Sequence, residues 1–168
     1  MLKTYLLMLV AALSLQPAGA APQTSGPRTV LDYYLLLPDK YFEAGGEHRV
    51  KWMLDPRRGA IVDVKNGYIY APGDGAQNTL YVCLFRKADA SYVVAVKADV
   101  EGSTQLDFYE YRGGRFVDVT QSVLPVAVDE SLEYEMPRYG TTIKVKGKGG
   151  KSLYNLVWQR GRFGKKRA

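Results

Sequence analysis

The sequence predicts a mainly β protein of the α+β class: an antiparallel meander of about eight short strands, folded as a sandwich or a partly open barrel and preceded by a short N-terminal helical segment. Three observations carry this reading. The hydrophobic period changes from helical to two near Ala60. Gly, Asn and Asp turn signals then recur at hairpin spacing. A chain of 168 residues that is 46% hydrophobic, 24% charged and 12% aromatic has the composition of one ordinary globular domain.

The first 20 residues read as a secretory signal peptide: Lys3 is the positive region, Leu6 to Leu13 the apolar run, and Ala18-Gly19-Ala20 the small residues before a cut. The apolar run is shorter than the roughly 20 residues a spanning helix needs, and no second such stretch follows, so the mature chain is expected to be soluble and periplasmic or extracellular. Residues 21–28 read as a disordered linker, 29–163 as a single domain and 164–168 as a loose basic tail. A mature chain of about 148 residues can bury roughly 68% of its extended surface, enough for one core without disulfides.

Thr29 is a candidate helix cap, and Val30, Leu31, Tyr34, Leu35 and Phe42 can share one helical face. Pro38 breaks that segment, so the spacing predicts a helix ending near Leu36 and a restart with Pro38 in a first turn. Glu47 to Leu54 is a second short helix, stopped by Asp55-Pro56. Ile61–Lys65 and Tyr68–Tyr70 flank Asn66-Gly67, the signal of a two-residue type I′ turn. Thr79–Arg86 and Tyr92–Asp99 form the next hairpin, Gln105–Tyr111 and Arg115–Val119 the one after, and Thr141–Lys146 and Ser152–Trp158 the last. Leu80–Phe85 and Tyr92–Val96 are apolar on both faces and are therefore expected to be central. Thr120 to Tyr139 reads as a long connection.

Phe108 to Phe116 and Leu156 to Phe163 share an aromatic strand, a Gly turn and an Arg-Phe pair. Four propeller blades of about 40 residues exceed the mature length, so two hairpins with similar turns explain the repeat.

Counting excludes several chemistries. One Cys and one His rule out a Cys/His metal cluster and a disulfide framework. Cys83 lies in an apolar run and reads as a core residue. The chain lacks a Gly-x-Ser-x-Gly elbow, a phosphate loop and a His-Glu-x-x-His motif. His48 stands between Glu47 and Arg49 and reads as a surface histidine. Asp107 and Glu110 fall on opposite strand faces, Glu43 and Glu47 are divided by Gly45-Gly46, and the acidic run Asp129, Glu130, Glu133 and Glu135 lacks the spacing of a calcium loop. No catalytic residue, metal or cofactor is therefore assigned.

Charge and aromatic residues are more informative. Residues 21–137 hold 12 Lys/Arg and 17 Asp/Glu, whereas residues 138–168 hold 10 Lys/Arg and no acid. Such a split marks a surface that meets something anionic, with Arg160, Arg162, Lys165, Lys166 and Arg167 the candidate contacts. Lys144 and Lys146, alternating with Ile143 and Val145, read as the solvated face of a strand. Thirteen aromatic residues are Tyr, against five Phe and two Trp. Tyr68 with Tyr70, and Tyr109 with Tyr111, are candidates for a tyrosine-bearing binding face, and the Gly-rich loop Ala71 to Asn78 offers Asp74 as a further ligand contact.

Arg162-Phe163-Gly164-Lys165-Lys166-Arg167 also resembles the processing site of an amidated RF-type neuropeptide precursor. Those precursors carry repeated peptide copies, whereas the preceding chain reads as one folded domain. The expected function is an exported, non-enzymatic binding or interaction module for an envelope, glycan or protein partner, with nucleic acid disfavoured. The alternatives are a small secreted hydrolase using carboxylates or His48, and an exported enzyme inhibitor.

Overall fold

The computed structural model describes residues 26–42, 47–73, 78–100, 102–147 and 149–168. The expected signal peptide, most of the linker, Glu43, Asp74 and the side chains of Glu47 and His48 lie outside the described residues. Within them the protein is mainly β, built on two antiparallel sheets. The first sheet runs in simple order through β1 (Ile61–Asp63), β2 (Tyr68–Ala71), β3 (Thr79–Arg86), β4 (Tyr92–Val100), β5 (Ser103–Arg112) and β6 (Arg115–Asp118). The second contains β7 (Glu133–Glu135), β8 (Thr142–Lys146), β9 (Ser152–Gln159) and β10 (Arg162–Arg167), also in order. The two sheets pack on a shared core and neither closes into a barrel among the described residues.

The helical segment precedes the sheets. In α1 (Val30–Leu35), the Thr29 hydroxyl accepts from Asp32 N–H while the Asp32 carboxylate accepts from Thr29 N–H, a reciprocal cap. Pro38 ends this part and starts a 3-10 turn over Asp39–Tyr41. The buried face is Val30, Tyr33, Tyr34 and Leu37, and Leu35 is exposed. The expected face is thus rotated by about one residue, because Tyr33 is drawn toward an aromatic group of Tyr92, Tyr111 and Phe116 on the sheet. The second helix, α2 (Glu47–Lys51), is followed by turns through Leu54.

Because side chains alternate across a strand, the six-stranded sheet feeds two cores. One face, with Ile69, Leu80, Val82, Val94, Val96 and Tyr109, packs under the helices. The other, with Cys83, Phe85, Val93, Ala95, Leu106 and Phe108, packs against Tyr134, Ile143, Val145, Leu156, Trp158 and Phe163 of the second sheet. As expected, β3 and β4 are central, and Cys83 is buried in the core between the sheets.

The structure corrects the turn at Asn66-Gly67. The register pairs Ile61 with Tyr70 and Asp63 with Tyr68, which leaves a four-residue loop from Val64 to Gly67. Only Gly67 there has positive φ, at 64°, and its close approach to Leu84 leaves no room for a larger residue. The Asp63 carboxylate accepts from Asn66 N–H and Nδ2, which favours the wider loop. The shift equals two residues, so every side chain keeps the face its alternation assigned.

Two strands were not expected. β7 lies inside the acidic stretch, where Tyr134 points inward and Glu135 pairs with Lys144 at 2.8 Å and Lys146 at 2.7 Å across β8. Strand β10 takes up all but the last residue of the expected loose tail, pairing Gly164 with Val157 and Arg167 with Tyr154. Its ladder consists of main-chain bonds, which a run of Gly, Lys and Arg can make without a hydrophobic pattern, and Asn155 Nδ2 adds a bond to Arg167 O at 3.3 Å. A short α3 (Thr120–Val123) opens the connection between the sheets.

Candidate functional site

The basic residues of the C-terminal end are gathered on one hairpin. The turn between β9 and β10 consists of Arg160 and Gly161, with φ of 50° and 89°. Both are in the left-handed region that a type I′ turn requires. Asn or Gly normally occupies the first of these positions, and here an arginine does, held at the hairpin tip against a steric cost. Arg162 and Lys166 stand on the outer face of β10 with the side-chain-free Gly164 between them, while Lys165 and Arg167 stand on the other face, beyond the buried Phe163.

All five basic residues are exposed, and among the described residues none forms an ion pair. Lys165 Nζ lies 4.2 Å from the centroid of the Tyr154 ring, which holds it along the sheet edge. Three other cations of the segment behave differently: Arg138 is bound to Asp63 at 2.9 Å, and Lys144 and Lys146 are bound to Glu135. The expected anion contacts are therefore brought together and left without acidic partners. Phe163, by contrast, is buried against Phe85, Phe108 and Trp158 at centroid distances of 4.9, 5.3 and 5.0 Å. The Arg162 to Arg167 segment is thus an anchored strand, not the accessible end that a precursor processing site requires.

The four candidate tyrosines do not form one face. Tyr68 and Tyr70 point toward the second sheet, Tyr109 and Tyr111 toward the helices. Tyr68 and Tyr109 are buried, and burial pushes the Tyr68 hydroxyl up to about 12. Tyr70 packs on Tyr81 with tilted rings whose centroids are 5.0 Å apart, and the Tyr81 ring lies 4.5 Å from Lys97 Nζ. Lys97 is buried and paired with Asp99 at 2.8 Å, and Thr104 Oγ1 donates to Asp99 Oδ1 at 2.8 Å.

Tyr109 belongs to a second polar cluster that the sequence did not reveal. Oδ2 of Asp107 accepts from Lys40 Nζ at 2.8 Å, Gln105 Nε2 at 2.6 Å, Tyr109 OH at 3.2 Å, and Tyr41 OH. The Tyr41 and Tyr109 hydroxyls are 2.8 Å apart. Burial acts to raise the Asp107 carboxyl, but the hydrogen bonds from Lys40 and Tyr41 and the Lys40 charge outweigh it, and the group is held below the usual carboxylate range. Burial first, and then the bond to Asp107, pushes the Tyr41 hydroxyl far up. Near neutral pH the carboxylate is an ionised acceptor whose charge is paired with that of Lys40, not a proton donor.

Asp107 lies beside a groove of about 280 Å³ along the outer side of β5, walled by Leu124, Val126 and Val128 of the connection between the sheets. No sequence signal marks this cluster, since Lys40 and Tyr41 stand 67 and 66 residues from Asp107 and meet it only through the helical layer. Among the described residues, no group of three or more His, Cys, Asp or Glu side chains is arranged to hold a metal ion. No described helix is long and apolar enough to cross a membrane. Compared with protein families, curated proteins and solved structures, the chain has no significant match.

Proposed function

We propose that the protein is an exported, non-enzymatic binding module whose β9–β10 hairpin contacts an anionic partner in the envelope or extracellular space. The observation that carries this reading is the set of five exposed cations on one edge hairpin with no acidic partner among the described residues. An arginine in a left-handed turn position and a cation fixed over Tyr154 add to it. On one face Arg162 and Lys166 are four residues apart, about 13 Å, and on the other Lys165 and Arg167 are two apart, about 6.7 Å, so the cations suit a partner with several spaced negative groups. An acidic glycan, a phosphate polymer and an acidic protein surface share that chemistry. Export rests on the Lys3, Leu6 to Leu13 and Ala18-Gly19-Ala20 pattern.

The test is titration with a linear polyanion, heparin, at about 50 and 200 mM salt. The reading expects binding that weakens steeply with salt, since exposed charges are screened within about 8 Å at physiological ionic strength. Arg162→Gln combined with Lys166→Gln is expected to lower the affinity and flatten the salt dependence. Substitution is the appropriate perturbation because deleting residues 164–168 would also strip an edge strand. Equal binding by the double variant, or binding insensitive to salt, would overturn the assignment. N-terminal sequencing of the secreted form should begin at Ala21, and a retained leader would overturn export.

A further inference from the structure

The outer side of β5 carries a gap one residue long. Strand parity decides which main-chain groups face it. Thr104 N–H donates to Glu130 O at 3.3 Å, Phe108 N–H donates to Thr120 Oγ1 at 2.9 Å, and Phe108 O accepts from Val119 N–H at 2.8 Å. The register with β4 is unbroken from Ser103 to Glu110, so Leu106, midway between Thr104 and Phe108, turns its N–H and C=O the same way. Among the described residues neither of these groups has a protein partner. They open into the groove beside Asp107, whose Oδ2 is occupied by four donors while Oδ1 has no described partner.

We propose that this groove binds a short, extended peptide segment in which a basic residue precedes an apolar one. One ligand residue forms an antiparallel bridge with Leu106, its N–H donating to Leu106 O and its C=O accepting from Leu106 N–H. A residue paired with Leu106 shares the face of the Leu106 side chain, where Leu124, Val126 and Val128 supply an apolar wall. The preceding ligand residue then lies opposite Asp107, on the face that carries its carboxylate. A cationic side chain there meets Asp107 Oδ1, the oxygen that Lys40 does not occupy, so the ionised carboxylate bridges two cations, whereas an acidic side chain meets that oxygen with like charge.

The slot is closed on both sides, by Glu130 O at Thr104 and by Val119 and Thr120 at Phe108, so it takes a one- or two-residue stretch and not a whole strand. A volume of about 280 Å³ fits that size. The site is distinct from the basic hairpin and opposite in charge preference, and its failure would leave the hairpin reading untouched.

The experiment is an amide NMR titration of the protein with N-acetyl-lysyl-leucine N-methylamide. Saturable shifts are expected at the Leu106, Asp107 and Thr120 amides. N-acetyl-glutamyl-leucine N-methylamide should bind at least about ten-fold more weakly, since like charges are brought face to face. Asp107→Asn should abolish the preference for the lysyl dipeptide and turn it toward the glutamyl one, since it leaves the Lys40 charge unpaired. Ala127→Trp, a change at an exposed position lining the groove, should abolish binding while the remaining spectrum is retained. Arg162→Gln with Lys166→Gln should leave it unaltered. Absence of shifts at Leu106 with millimolar dipeptide overturns the proposal, as does equal binding of the two dipeptides. Should Ala127→Trp disturb the fold, slower exchange of the Leu106 amide under saturating lysyl dipeptide provides the independent readout, and unchanged exchange counts against the bridge.

Discussion

Phe163→Ala tests whether the basic strand is held by its one large apolar side chain. Phe163 is buried and meets Phe85, Phe108 and Trp158, all at centroid distances between 4.9 and 5.3 Å. Truncating a buried phenylalanine removes its transfer energy and leaves a cavity, together about 3–5 kcal/mol. The site is lined by three other rings, which cannot collapse inward as flexible aliphatic chains would, so the upper half of that range is expected. With a urea dependence of about 2 kcal/mol per M for a chain of this size, the midpoint should fall by about 2 M. Lys166→Ala, on the exposed face of the same strand, should move it by less than about 0.3 M. Heparin affinity should fall in Phe163→Ala as well, because β10 loses its seat and with it the fixed spacing of Arg162, Lys165, Lys166 and Arg167. A midpoint drop under about 0.5 M would refute the reasoning, since it would show that main-chain pairing with β9 holds the strand without the aromatic anchor.

Two further predictions concern buried polar chemistry. Asp107 is ionised more easily in the folded than in the unfolded chain, so its contribution to stability is present above the unfolded value of about 3.9 and is lost as pH falls through the lower folded value. The stability difference between the parent and Asp107→Asn, followed by urea titration from pH 6 down to pH 2, should therefore shrink below about pH 4; a difference constant across that range would contradict the assigned hydrogen bonds. Cys83 is buried and desolvation alone pushes its thiol up. It should ignore a disulfide reagent in the native state and react once per chain in denaturant, whereas rapid native labelling would place it at the surface.

The parts of the fold that the sequence revealed are those where side-chain pattern and main-chain pairing agree. β3 and β4 carry apolar residues on both faces and fill the middle of the larger sheet, and the Gly113-Gly114 turn closes β5 onto β6 as its composition indicates. The pattern was silent where only one inward residue marks a strand. In β7 that residue is Tyr134, framed by two glutamates; in β10 it is Phe163, followed by Gly and three cations. Both strands exist because a neighbour offers an edge to pair with, which is a property of the assembled sheet. The site was legible to the same extent. The basic residues were visible as a charge split, but their arrangement on a hairpin edge depends on β10. Alternation places the two tyrosines of each hairpin on one face, yet the two pairs point to opposite sides of one sheet. The Asp107 cluster could not be read at all, since its donors arrive from the helical layer and from both sides of the same residue on β5.

The six-stranded sheet is a party wall. Each of the protein's two interiors uses it as one of its own sides, and each contains one tryptophan: Trp52 packs against the helical interior and Trp158 against the interior between the sheets. A disturbance that opens one side removes the backing that positions β3 and β4 for the other. The two interiors are therefore bound to melt as one, although no side chain belongs to both. A ligand that tightened either side would accordingly be felt across the wall, through the central strands that both interiors share.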